Sequence, residues 1–157
     1  DMQYTKRDWR NRNKIVTPKG LKWLSIPVEV KGKFFQKINE TQVADKSWNQ
    51  SHRSIIEQNY KNAPYFKEIR DWLKPLYLNC NFSYLTEINL YFIRAILEYL
   101  QIQTEIRLSS EFELYENRTQ RLVNIVDKLQ GTEYYSGSAA KIYIENQKFE
   151  EKNMARR

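Results

Sequence analysis

Lys6-Arg7-Asp8-Trp9-Arg10-Asn11-Arg12-Asn13-Lys14-Ile15 is the stretch on which the fold turns. Its residues alternate in character. Lys6, Asp8, Arg10, Arg12 and Lys14 share one face, and Arg7, Trp9, Asn11, Asn13 and Ile15 share the other, which is the two-residue period of a β-strand. Pro18-Lys19-Gly20 follows as a turn, with Pro presetting φ and Gly relaxing it. Residues 21–30 give a second strand carrying Trp23, Leu24, Ile26, Val28 and Val30, closed by a turn at Lys31-Gly32-Lys33. An antiparallel strand pair is the expected N-terminal element.

Helical periodicity dominates the middle of the chain. Asp45 or Ser47 can cap a helix running to about Tyr60, with Trp48, His52, Ile55, Ile56 and Tyr60 on one stripe. Pro64 suits the first turn of the next helix, and Pro75 kinks or ends it. Ser83 can cap a helix to about Tyr99, whose wide apolar face marks it as central. Residues 104–108 read as a buried strand ending in Ser109-Ser110. Asn117 and Gln120 have capping-box spacing for a helix stopped by Gly131 at its C′ position. A short strand at 133–135 then leads through Ser136-Gly137-Ser138 into a further helix. The order strand, helix, strand, helix implies a right-handed crossover with parallel strands. The expected class is α/β: a single domain with an N-terminal strand pair, central helices and that C-terminal crossover.

Composition narrows the chemistry. Residues 1–37 hold ten Lys or Arg against three Asp or Glu, while the rest of the chain balances, so the whole net charge of +7 lies in the N-terminal quarter. Such a local potential draws anions. Four glycines leave no Gly-rich phosphate loop. One cysteine, Cys80, excludes an intramolecular disulfide and a Cys-based zinc site, and one histidine, His52, argues against a His-based metal centre. No cofactor or metal is expected. No apolar run is long enough to span a bilayer and no signal-peptide pattern opens the chain, so the expected setting is cytoplasmic.

The same residues, taken in order, resemble a known family. The basic run at 6–15, then Trp23-Leu24-Ser25-Ile26-Pro27-Val28, Trp48 with His52, and Tyr60-Lys61-Asn62-Ala63-Pro64-Tyr65-Phe66 are similar to the WbqC-like family of bacterial proteins. Ser109-Ser110-Glu111, Arg121-Leu122, Tyr135-Ser136-Gly137 and Phe149 continue the likeness. The resemblance implies one WbqC-like domain over residues 1–157. It also implies a setting in O-antigen and other surface-polysaccharide gene clusters, and a suggested role as a transferase placing glycine on a sugar. Family members usually begin with an extra strand and a Gln-Pro, aromatic-rich segment, and often close with a further short strand. This chain is expected to lack those pieces.

Candidate site residues follow from position and chemistry. Arg7 and Arg12 offer guanidinium forks for phosphate or carboxylate, Trp9 a stacking surface, and Asn11 and Asn13 paired donor and acceptor groups for hydroxyls. The alternative is a solvated edge strand guarded by its charges. His52 has the intrinsic pKa of a general acid or base, yet a lone His on an apolar stripe is more often structural. Ser109 and Ser110, at the end of the expected strand, can bind phosphate or sugar, or simply turn the chain. Ser136 and Gly137, at a strand-to-helix junction, form either an anion site or a plain turn. Arg121 is a phosphate ligand, or a surface partner of Glu116 or Asp127. Three functions stay open: a transferase binding a nucleotide-sugar or another anionic activated donor, an RNA- or tRNA-binding module, and a non-catalytic partner in polysaccharide assembly.

Overall fold

β1 (Arg12–Thr17) pairs antiparallel with β2 (Gly20–Ser25), in register from Arg12 opposite Ser25 to Thr17 opposite Gly20. The computed structural model describes residues 2–6, 9–113 and 117–157, with backbone alone at 139 and 141. Its backbone gathers into two compact units, Asp1–Thr104 and Glu105–Arg157, each with its own core. No described helix is long and apolar enough to cross a membrane.

In the first unit the strand pair forms, but later and shorter than its alternation predicts. Trp9–Asn11 is a turn of 3-10 helix, so β1 starts at Arg12. Gly20 at φ +99° makes the tight reversal that a side chain would strain. β2 ends at Ser25 because Pro27 has no N–H to continue the ladder. Residues 27–30 pair with a different segment: Glu29 N–H donates to Gln42 O and Ala44 N–H to Pro27 O, both at 2.9 Å.

Three helices follow. α1 (Trp48–Tyr60) has the predicted bounds, and the Asp45 carboxylate turns the chain into it by accepting from Ser47 N–H and Oγ–H, each at 2.8 Å. α2 (Phe66–Asn79) begins two residues beyond Pro64, after Tyr65 at φ +61°, and continues through Pro75 to Asn79. Pro64 therefore lies before the helix rather than in its first turn, and Pro75 does not end it. α3 (Leu85–Tyr99) is entered at Tyr84, whose N–H donates to the Glu87 carboxylate, so Ser83 is not the cap. Only its first turns are buried, at Leu85 and Ile88, while Ile93 and Ile96 are exposed. The core joins Tyr4, Ile26, Trp48, Cys80, Leu85 and Ile88.

The second unit departs further from expectation. Residues 105–108 form no strand and none of them is buried. Glu111 folds back there, accepting from Leu108 N–H at 2.8 Å and pairing with Arg107. α4 (Arg118–Lys128) is capped as predicted, Asn117 Oδ1 accepting from Gln120 N–H at 2.9 Å. It ends in a Schellman motif with Gln130, at φ +54°, in the left-handed position assigned above to Gly131. Gln130 N–H donates to Asp127 O and Gly131 N–H to Val126 O. Gly131 is needed one step later, where a Cβ would lie 3.0 Å from Val126 Cγ1.

A parallel pair exists, though not the expected one. β3 (Glu133–Tyr134) pairs with β4 (Ala155–Arg156), and the connection holds a 3-10 turn, Ser138–Ile142, and α5 (Gln147–Glu150). Val123, Val126, Ile144, Met154 and the fully buried Phe149, stacked on Tyr134 at 5.2 Å, make this unit's core.

Candidate functional site

The 3-10 turn changes what the basic run presents. In a regular strand Asn11 and Arg12 would face opposite ways. Here residues 9–13 all line one cleft of about 350 Å³ in the first unit. Its far wall is apolar and aromatic, with Trp48, Tyr77, Ile88 and Phe92. Trp48, Tyr77 and Phe92 meet edge-on or tilted, with ring centroids 5.0–6.2 Å apart, which fixes the wall's shape. Among its described residues the lining brings in two cations, Arg10 and Arg12.

Asn11 is its best-defined polar group. Asn11 Nδ2 donates to Ile26 O at 2.9 Å, and Ile26 N–H donates back to Asn11 O at 2.8 Å. The first bond fixes the amide orientation, since only the NH₂ can meet a carbonyl. Asn11 Oδ1 is consequently a buried acceptor, and it has no hydrogen-bond partner among the described residues. An unmet buried acceptor costs about 1–3 kcal/mol. A hydroxyl or N–H on a ligand would recover it. Asn89 on α3 lines the same cleft and holds the turn, Nδ2 donating to Arg10 O at 3.2 Å.

The remaining residues of the run have distinct positions. Trp9 is 75% exposed, with the Arg10 guanidinium 5.1 Å from its ring centroid. Arg12 and Lys14 both lie over Trp23, at 4.2 and 4.7 Å. Asn13 is exposed, and its Oδ1 accepts from Lys14 N–H at 2.8 Å. Arg7 lies outside the described residues.

His52 is buried in the cleft wall. Its Nε2 lies 2.9 Å from Ser25 O, and a carbonyl only accepts, so Nε2 carries the proton and donates. Its ring sits edge-on to Trp48 at 5.2 Å. Burial pushes its pKa below the ordinary value, opposed by the bond to Ser25. The neutral ring ties the end of β2 to α1. Burial likewise pushes the Tyr77 phenol up to about 12, so it stays a neutral donor.

The other sequence candidates lie in the second unit. Ser109 and Ser110 stand in a 3-10 turn, Ser109–Glu111, and the strand whose carboxyl end they were to mark does not form. Ser136 N–H donates to Arg157 O at 3.1 Å, which spends that amide on the chain's own sheet. Gly137 has φ −65°, an ordinary value, and the helix beyond it is a five-residue 3-10 turn. An α-helix N-terminus, one of the features behind the anion-site alternative, does not form there. Arg121 is half-buried on α4; Asp127 pairs with Lys152, and Glu116 lies outside the described residues.

Sequence reasoning missed Asn89 and Tyr77. Asn89 carried a signal, an amide between Ile88 and Leu90 on a helix read as apolar. Tyr77 carried none, since an aromatic on a helix stripe reads as core. Among the described residues no three His, Cys, Asp or Glu side chains converge to hold a metal ion.

Several residues that line the cleft are among those that carry the family likeness, and comparison with known proteins agrees with that likeness. An uncharacterized protein of Mycobacterium tuberculosis is 45% identical over 151 residues, covering 96% of this chain. The chain spans 65% of the length of that curated relative. No solved structure matches. The WbqC-like protein family matches residues 1–157, across both units, and with Trp9, Asn11, Arg12, Trp48 and His52 of its likeness gathered at one cleft, the chain belongs to that family.

Proposed function

We propose that the cleft binds an anionic, hydroxyl-bearing activated donor, a nucleotide-sugar being the best fit, and that the protein is a transferase of bacterial surface-polysaccharide biosynthesis. One observation carries this reading. The buried Asn11 Oδ1 needs a donor such as a sugar hydroxyl, in a cleft lined by Arg10 and Arg12, without a described carboxylate and with an aromatic wall. Arginine suits phosphate through its planar fork, and an aromatic ring suits the apolar face of a sugar or base. Catalysis then rests on positioning and charge stabilisation. Transfer of an aminoacyl group, glycine, onto a sugar extends the reading along the family resemblance. The two units are taken together as one WbqC-like domain because the match spans both. A cytoplasmic setting belongs to the same proposal, since nucleotide-activated donors are made there.

Titration calorimetry with a panel of nucleotide-sugars tests it. Binding by the wild-type protein, weakened about tenfold by Asn11→Ala, is the expected result. No heat from any nucleotide or nucleotide-sugar would overturn it. A second reading, RNA or tRNA binding, is favoured by the exposed Trp9 ring with Arg10 against it, a platform on which a base can stack. Steep loss of RNA binding with salt would support that reading, and a flat response would remove it.

A further inference from the structure

The loop Lys31-Gly32-Lys33-Phe34-Phe35-Gln36-Lys37 displays its two aromatic rings rather than hiding them. Phe34 is 78% exposed and Phe35 88%, while the neighbouring amide, Gln36, is buried. The inversion is built in. Gln36 Nε2 donates to Glu29 O at 2.8 Å, Gln3 Nε2 donates to Phe34 O at 3.0 Å, and Lys33 N–H donates to Val30 O. Tyr4 N–H donates to Gln36 O and Ile38 N–H to Met2 O, both at 2.9 Å, which lays residues 2–4 antiparallel along 36–38. Met2 adds a third exposed apolar side chain beside the two rings. Gly32, at φ +73°, makes the bend that lifts the pair.

Charge decides what such a tip meets. Lys31, Lys33 and Lys37 flank the rings and are all exposed. Two acids stand nearby: Glu29 pairs with Lys33, and the Glu40 carboxylate accepts from the Lys37 backbone N–H. No ion pair engages the Lys31 or Lys37 ammonium among the described residues. Rings that enter the acyl boundary, ringed by ammonium groups that meet lipid phosphates, are the composition of a surface-binding element. A protein groove would suit the rings but not the cationic collar.

We infer that this loop docks the protein reversibly on an anionic lipid surface, with Phe34 and Phe35 inserted and Lys31 and Lys37 on the headgroups. Co-sedimentation of the full chain with phosphatidylcholine vesicles, with and without phosphatidylglycerol, tests it. Pelleting is expected with the anionic vesicles alone. Phe34→Ser with Phe35→Ser, and separately Lys31→Gln with Lys37→Gln, are each expected to weaken it about tenfold or more, with unchanged thermal melting. No pelleting with anionic vesicles, or pelleting unaffected by the serine pair, would overturn the inference. So would loss of self-association in the serine variant without vesicle binding, which would assign the rings to a second copy of the chain.

Discussion

Asn11 and Ile26 hold each other by two hydrogen bonds, Asn11 Nδ2 to Ile26 O at 2.9 Å and Ile26 N–H to Asn11 O at 2.8 Å. The pair joins the 3-10 turn to the chain just beyond β2 and leaves the buried Asn11 Oδ1 without a hydrogen-bond partner among the described residues. Asn11→Ala removes one bond and one unmet acceptor together, and these effects oppose each other. Stability should change by no more than about 1 kcal/mol, read from urea unfolding, while binding of the donor falls. A large loss of stability would mean that Asn11 is structural only.

Trp23 serves as one platform for two cations, Arg12 and Lys14. Exposed cation–π contacts contribute about 0.5–1 kcal/mol each. Trp23→Leu, which keeps an apolar side chain on β2, should cost about 1–2 kcal/mol in denaturant unfolding. Arg12→Gln should cost about half of that.

His52 gives stability a pH dependence of definite sign. Its folded-state pKa lies below the ordinary 6.5 because burial disfavours the charged ring. As pH falls, the unfolded chain therefore takes up the proton first. The stabilisation is complete above about 6.5 and is lost progressively below it. His52→Gln keeps an N–H for Ser25 O and cannot titrate. The melting temperature of the wild type should fall relative to this variant between about pH 7.5 and pH 5, and parallel curves would refute the assignment.

Gln101 and Gln130 each occupy a left-handed position after a helix, at φ +57° and +54°. A side chain there is strained, and glycine relieves it at the cost of unfolded-state entropy. Gln101→Gly and Gln130→Gly should each raise stability by up to about 1 kcal/mol. Gly131→Ala should do the reverse, since its Cβ would press on Val126 Cγ1 at 3.0 Å.

Legibility in the sequence followed how local each structure is. α1 and α4 could be read because their entry turns and stripes are written locally, as at Asp45 with Ser47 and at the Asn117 cap with Gln120. Residues 104–108 alternate like a strand, yet a strand needs an edge to pair with, and none of the described residues pairs with them. The parallel pair formed instead at Glu133–Tyr134, where Ala155–Arg156 returns beside it. The basic run was legible as a candidate site element, but not its shape. Alternation put Asn11 and Arg12 on opposite faces, and the turn at Trp9–Asn11 brought them together. The far wall was illegible because Tyr77, Asn89 and Phe92 come from α2 and α3, through packing that no local pattern encodes.

The frame of the cleft rests on three uncharged contacts: Asn11 to Ile26 O, Asn89 to Arg10 O, and neutral His52 to Ser25 O. The attraction for an anion that we propose rests on arginines, whose field is screened by salt. The scaffold and the lure thus answer to different solution variables. A wash at high ionic strength near neutral pH should strip a co-purifying occupant while leaving the cavity intact, so that what elutes reports the natural ligand and what remains can be reloaded.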